Sequence, residues 1–233
     1  MTLLSRQDQI AEGLRAVRAR IEAGCAEAGR DPGEITLVVV SKTYPASDVE
    51  LLAAMGVRDV GENRDVEASA KYQACARLGL RWHFIGRLQS NKARGVAHYA
   101  DVVHSVDRAS LIAPLGRGAR EAGRTVQCLL QVSLDGDPER GGAAAAQLPE
   151  LAAAVADQEG LVLRGLMAVA PLGVEPHEAF QALPVLRASL LERHPSADLI
   201  SAGMSGDLEA ALACGATHLR VGTAVLGARP PLA

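Results

Sequence analysis

A single ammonium group stands at the end of a strongly strand-like stretch of the chain, Ile35-Thr36-Leu37-Val38-Val39-Val40-Ser41-Lys42-Thr43-Tyr44-Pro45. Pro45 cannot extend a ladder of backbone hydrogen bonds, which makes Lys42 the terminal residue of a core strand. A lysine at a strand end is by itself most often a solvated charge. Two further stretches change its meaning. Ser201-Ala202-Gly203-Met204-Ser205-Gly206-Asp207 and Arg220-Val221-Gly222-Thr223-Ala224-Val225-Leu226-Gly227 each place small residues and hydroxyls between a strand-like and a helix-like segment. Glycine and serine at such turns serve as helix caps, and they also leave backbone N–H groups open to an anion. A strand-end lysine facing two loops of this kind suits a phosphorylated carbonyl compound, with the phosphate on the loops and the carbonyl condensed on the amine as a Schiff base.

Positioning those groups requires strands whose C-terminal ends meet on one face. Besides the first, strand-like segments fall near Asp59 to Glu62, Trp82 to Ile85, Val102 to Val106, Val126 to Leu134, Leu161 to Val169, Leu199 to Gly203 and His218 to Gly222. Helix formers separate them: Ser47 to Met55, Asp65 to Arg77, Ser90 to His98, Arg108 to Glu121, Ala143 to Ala156, Pro176 to Arg193 and Asp207 to Cys214. Ahead of the first strand, Ile10, Leu14, Val17, Ile21 and Cys25 recur at steps of three or four, which predicts an extra amphipathic helix from about Arg6 to Arg30. Repeated βα units with no Pro/Gly/Ser-rich linker predict an α/β fold, a single (β/α)8 TIM barrel occupying residues 1–233. A doubly wound open sheet is the competing architecture, but it would place a glycine-rich turn after the first strand, and Ser41 to Pro45 contains none. On the eighth strand, Arg220 and Gly222 share one side while Leu219 and Val221 take the other.

Composition narrows the class of partner. Length 233 lets such a chain bury about 70% of its unfolded surface without staples. A net charge of −3, with no basic arm, argues against nucleic acid and for a small molecule. Cys25, Cys75, Cys128 and Cys214 form no C-x-x-C pair, which leaves neither a zinc ribbon nor a redox motif and fits reduced core thiols of a cytoplasmic protein. The opening Met-Thr-Leu-Leu-Ser-Arg-Gln-Asp has charges throughout its first turns, which excludes the hydrophobic region of a signal peptide. No apolar run approaches the ~20 residues of a membrane span.

Several blocks together are recognisable. Val40-Ser41-Lys42-Thr43-Tyr44-Pro45, Gly61-Glu62-Asn63, Trp82 to Lys92, Arg164-Gly165-Leu166-Met167-Ala168, Gly203-Met204-Ser205-Gly206-Asp207 and Arg220-Val221-Gly222-Thr223 closely resemble the pyridoxal-phosphate homeostasis proteins. The resemblance covers nearly the whole chain and implies the barrel of the alanine racemase N-terminal domain, with pyridoxal 5'-phosphate (PLP) as cofactor. It implies that Lys42 carries the Schiff base and that Ser201, Met204, Ser205, Gly222 and Thr223 surround the phosphate. Arg220 would face the pyridine nitrogen, and Asn63 would line the pocket. It further implies a monomeric carrier or reservoir that delivers PLP to apo-enzymes. An active PLP enzyme of the racemase class is the alternative. Racemases of the resembling fold add a tyrosine acid/base from a further β-domain of a partner subunit, whereas this chain ends at Ala233, soon after its eighth strand.

The sequence departs from the family pattern at Arg64-Asp65-Val66, and again in the loop Asp135 to Gly141. Other motifs are excluded on chemistry. Asp135 and Asp137 start like a calcium loop, but Arg140 occupies the required glycine. Gly116-Arg117-Gly118 lacks the third glycine of a dinucleotide turn, and Asp207 stands where a nucleophile elbow needs glycine. His83, between Trp82 and Phe84, reads as a hydrogen-bonded core histidine. The polar loop Gln89 to Arg94 is either a solvated helix start or a contact for a partner protein.

Overall fold

A computed structural model describes residues 4–137 and 140–228. Met1 to Leu3 of the N-terminal reading, Pro138 and Glu139 of the Asp135 loop, and the chain end at Ala233 lie outside the described residues. The elements run α1 (Arg6–Glu27), β1 (Thr36–Val40), α2 (Ala46–Ala54), β2 (Asp59–Glu62), α3 (Asp65–Cys75), β3 (Arg81–Phe84), α4 (Ser90–Val96), β4 (Val102–Val106) and α5 (Ile112–Glu121). They continue as β5 (Val126–Gln131), α6 (Leu148–Ala156), β6 (Leu161–Met167), α7 (Pro176–Phe180), α8 (Ala182–Leu191), β7 (Leu199–Ser201), α9 (Leu208–Ala213), β8 (His218–Val221) and α10 (Thr223–Leu226). Each strand pairs in parallel with the next, and β1 pairs with β8 to close a barrel. The open doubly wound sheet is thereby excluded.

Strand parity sorts the side chains as expected for such a barrel. Trp82, Phe84, Leu219 and Val221 join the large apolar cluster between strands and helices. His83 and Arg220 take the other side and are nevertheless buried. Val102, Leu129 and Met167 form a separate small cluster, and Val102 shares the parity of His104 on β4. Gly165 in β6 has φ +147°, and a Cβ there would lie 1.9 Å from the Leu199 carbonyl oxygen. Only glycine lets β6 and β7 meet at that register.

Two predicted helices begin later than their composition suggests and a third is divided, for one shared reason. Pro114, Pro149 and Pro184 lack the N–H that would bond four residues back, so each can sit only in a first turn. Ala109–Leu111 and Ala145–Gln147 are therefore 3-10 turns ahead of α5 and α6, and the Pro176 segment divides into α7 and α8. The alanine run 143–146 is thus not helical throughout, and Ala143 instead bridges Val132.

The extra helix α1 is capped by Ser5, which accepts from the Asp8 amide while the Asp8 carboxylate accepts from Ser5 N–H. Its buried stripe of Ile10, Leu14, Val17, Ile21 and Cys25 packs the helix against α9 and α10. The approach is close, since a Cβ on Gly13 would lie 2.3 Å from the Val225 carbonyl oxygen. Arg20 completes the brace by pairing with Glu209 at 2.7 Å and donating to the Ser205 carbonyl at 2.9 Å. No helix of the described residues is long and apolar enough to cross a membrane.

Candidate functional site

At the C-terminal ends of the strands, a cavity of about 210 Å³ is lined by Val40, Lys42, Tyr44, Ile85, Met204, Ser205, Gly206, Arg220, Gly222 and Thr223. The loops after β1, β7 and β8 thus meet there, although they are far apart in sequence. β1 ends at Val40, so Lys42 lies two residues beyond the strand in a tight turn. That turn is unusual. Thr43 has φ +71°, a left-handed conformation that is costly for a β-branched residue.

Buried polar groups hold the turn from behind. Lys71 Nζ donates to the Ser41 carbonyl at 2.6 Å and to Glu62 Oε1 at 2.7 Å, and Ser41 Oγ donates to the same carboxylate oxygen at 2.7 Å. Burial pushes the Glu62 carboxyl above its ordinary range, against the opposing pull of Lys71 and Ser41. Tyr44 is buried and its hydroxyl donates to the Gly227 carbonyl at 2.7 Å, tying the turn to the end of α10. None of these supports has a spacing signal in the sequence, because each partner comes from a different element.

Opposite the lysine, Ser205 Oγ lies 3.4 Å from Thr223 Oγ1 and accepts from the Ala224 amide at 3.4 Å. A Cβ on Gly222 would sit 3.1 Å from the Val40 carbonyl oxygen. Small residues and hydroxyls therefore border the cavity, as an oxyanion cradle requires. Two details narrow the expectation of helix-end binding. α9 and α10 have only six and four residues, and the Met204 amide already donates to Asp207 Oδ1. Hydroxyls and the amides around Gly222, rather than long helix dipoles, are the groups left to meet an anion.

Arg220 lines the cavity but is held from below, with Nη1 donating to Ser201 Oγ and Nη2 to the Ala168 carbonyl at 2.9 Å. Burial pushes its guanidinium down to about 10 and nearby Asp207 resists, so it stays cationic at neutral pH. Ser201 is fully buried beneath Arg220 and is not among the residues that line the cavity. Asn63 lines a neighbouring cleft of about 420 Å³ with Arg64, Arg87, Gln89 and Lys92. The chain turns aside there because the Asn63 backbone packs on Gly86, where a Cβ would meet the Asn63 carbonyl oxygen at 2.2 Å. The polar loop after β3 starts α4, and Lys92 reaches Asp65 at 3.9 Å. Among the described residues no His/Cys/Asp/Glu cluster could hold a metal ion, and the four cysteines are free and buried.

His83 is hydrogen-bonded in the core, at 2.8 Å from Asp59 Oδ1 and 2.8 Å from His104 Nε2. Burial, reinforced by His83 and Arg220, holds His104 well below the ordinary imidazole value. Burial likewise brings His218 down to about 4, with His83 next in effect. The unfolded chain therefore takes up these protons first as pH falls below 6.5, and stability drops toward pH 4 by up to about 1.4 kcal/mol per unit for each imidazole. Glu62, with its raised value, pulls the other way on the acid side, one carboxylate against two imidazoles. Burial would raise Asp59, but His83 and Arg81 outweigh it, so its contribution is lost only below about 3.8. Urea midpoints measured at pH 7 and pH 5 should show the loss, and His218→Gln should flatten the slope by about one proton. An unchanged midpoint across that range would contradict the assignment.

A closed parallel barrel with a strand-end amine, a buried arginine and a hydroxyl-lined cavity defines a class of cofactor-binding barrel. Residues 13–230 match the family model for the alanine racemase N-terminal domain. The pyridoxal phosphate homeostasis protein of Mycobacterium tuberculosis is 41% identical over 243 residues, covering 96% of this chain and 94% of the relative. That of Corynebacterium glutamicum is 45% identical over 223 residues, covering 92% and 99%. The solved structure of PipY from Synechococcus elongatus, with PLP bound, superposes with a TM-score of 0.79 at 37% identity, covering 94% of this chain and 100% of that one. The chain belongs to the pyridoxal phosphate homeostasis protein family.

Proposed function

We propose that this chain binds PLP in the Lys42 cavity and serves as a cytoplasmic carrier or reservoir for it. The observation that carries the reading is the convergence of Lys42, Ser205, Gly222, Thr223 and Arg220 on one cavity. When bound, PLP supplies an aldehyde that condenses with an amine and a ring that can accept electrons. Lys42 would supply the amine that the aldehyde meets. Ser205, Thr223 and the amides at Gly222 would hold the phosphate, Met204 would cover one side, and Arg220 would donate toward the ring nitrogen. Asn63 stands one cleft away, and its side chain contributes at most to the rim. The PLP named in the PipY structure and the names of the relatives support the same ligand.

Turnover is not part of the proposal, for two reasons of chemistry. A guanidinium keeps the ring nitrogen unprotonated and weakens the electron sink. The phenol nearest the amine in sequence, Tyr44, already donates its proton to the Gly227 carbonyl and is tied down by it. Incubated with L-alanine in deuterated buffer, the loaded protein should exchange negligible Cα hydrogen over hours, while it reconstitutes an apo PLP-dependent enzyme. Rapid, Lys42-dependent deuterium incorporation would favour a racemase instead.

A further inference from the structure

A row of hydrogen bonds crosses the barrel interior beneath the Lys42 cavity. Asp59 Oδ1, at the start of β2, lies 2.8 Å from His83 Nε2. His83 Nδ1 lies 2.8 Å from His104 Nε2, and His104 Nδ1 lies 2.9 Å from Ser201 Oγ. Ser201 Oγ accepts from Arg220 Nη1. The members come from β2, β3, β4, β7 and β8, and all are buried. The row spans the barrel, from Asp59 and its salt bridge to the half-exposed Arg81 up to the floor of the cavity.

Both ends of this row have a fixed polarity. Arginine can only donate, and an ionised carboxylate can only accept. Asp59 therefore accepts from His83 Nε2–H, and in the neutral ring this leaves His83 Nδ1 as an acceptor. His104 must then carry its proton on Nε2 and accept at Nδ1. The Ser201 hydroxyl points its proton at His104 and turns its lone pairs toward Arg220. One assignment satisfies every member, and every bond runs the same way, from Arg220 down to Asp59. An imidazolium at His83 would donate from both nitrogens and force His104 to donate to Ser201. The Ser201 proton would then have no acceptor within the row. Burial of His104, which disfavours its charged form, agrees with the neutral assignment.

We propose that Asp59, His83, His104 and Ser201 are positioning residues that aim Arg220 at the ring of bound PLP by fixing which way every donor in this row points. The inference rests on the reading of the Lys42 cavity as a PLP site, and it moves Ser201 from the phosphate to the support of Arg220. Two of the five N–H groups of Arg220 are spent on Ser201 and Ala168, which sets the plane of the guanidinium and the direction of those that remain. A buried polar row of this kind is costly unless every member is satisfied, so its direction is rigidly specified.

Two measurements test it. In protein with 15N-labelled histidine, long-range spectra at pH 7 should show His83 and His104 as neutral Nε2–H tautomers, with or without PLP. An Nδ1–H tautomer or an imidazolium at either residue would overturn the row. The second compares His104→Asn with His104→Leu in PLP-loaded protein. The asparagine amide oxygen replaces Nδ1 as acceptor for Ser201, whereas leucine releases the hydroxyl. The leucine variant should shift the absorption maximum of bound PLP and weaken its affinity about tenfold, the size of one hydrogen bond to a charged group. The asparagine variant should stay within about twofold with an unshifted band. Ser201→Ala, a smaller change to the fold, should reproduce the leucine shift. Equal behaviour of His104→Asn and His104→Leu, or an unshifted Ser201→Ala, would refute a positioning role. The tautomer spectra need no cofactor, so the row and the PLP site can fail separately.

Discussion

Lys42→Ala should purify colourless and take up no pyridoxyl group on borohydride reduction, whereas the parent protein should purify yellow and be labelled on the peptide that contains Lys42. The expected loss is complete, because the proposed covalent bond depends on one amine. Lys71 is the nearest competitor in the support of that turn, but its ammonium is already shared between the Ser41 carbonyl and Glu62, and it does not line the cavity. The Lys42→Ala cavity retains its hydroxyls, its glycine and Arg220, so residual non-covalent PLP should still be detectable by equilibrium dialysis. Label on any other lysine, or an imine absorption band that survives in Lys42→Ala, would remove the lysine from the centre of the site.

The second large effect belongs to Gly222. An added methyl group meets the Val40 carbonyl oxygen at 3.1 Å, and a neighbour must give by a few tenths of an ångström. Gly222→Ala should therefore be mild. Gly222→Leu cannot place its isobutyl group against β1 and must send it into the cavity, where it covers the amides and hydroxyls proposed to meet the phosphate. The parent protein should prefer PLP over unphosphorylated pyridoxal by about hundredfold, worth about 2.7 kcal/mol. In Gly222→Leu that preference should shrink below about tenfold. The measurement is a pair of titrations, one per ligand, on each protein. Equal affinity of the parent protein for the two ligands would refute the cradle.

Much of the barrel was legible because its strands are short runs with a clear break at each end. The boundaries of β2 and β4 fall where the apolar pattern places them. Helix starts were less legible, since composition favours helix through Ala143 to Gln147 while the missing N–H of Pro149 forbids a longer one. Lys42, Met204, Ser205, Arg220, Gly222 and Thr223 do share one cavity. Asn63 and Ser201 do not line it, and neither shift could be read in advance. Position in a motif says which strand end a residue occupies, but not whether its side chain reaches over the rim or sinks below it. His104 carried no signal at all, because its partners lie 21 and 97 residues away.

The brace between α1 and the last two helices sets an order of assembly. The stripe from Ile10 to Cys25 emerges from the ribosome long before the surfaces it covers on α9 and α10 are made. Until then α1 carries an apolar face with no cover, and β1 lacks its β8 neighbour. Closing the ring and seating α1 are thus long-range events separated by nearly the whole chain, of the kind that slows folding and invites aggregation. The same event completes the cavity, since Arg20 holds the Ser205 loop and Tyr44 holds Gly227 only once both ends are in place. Synthesis must pass α10 before this protein can hold its ligand.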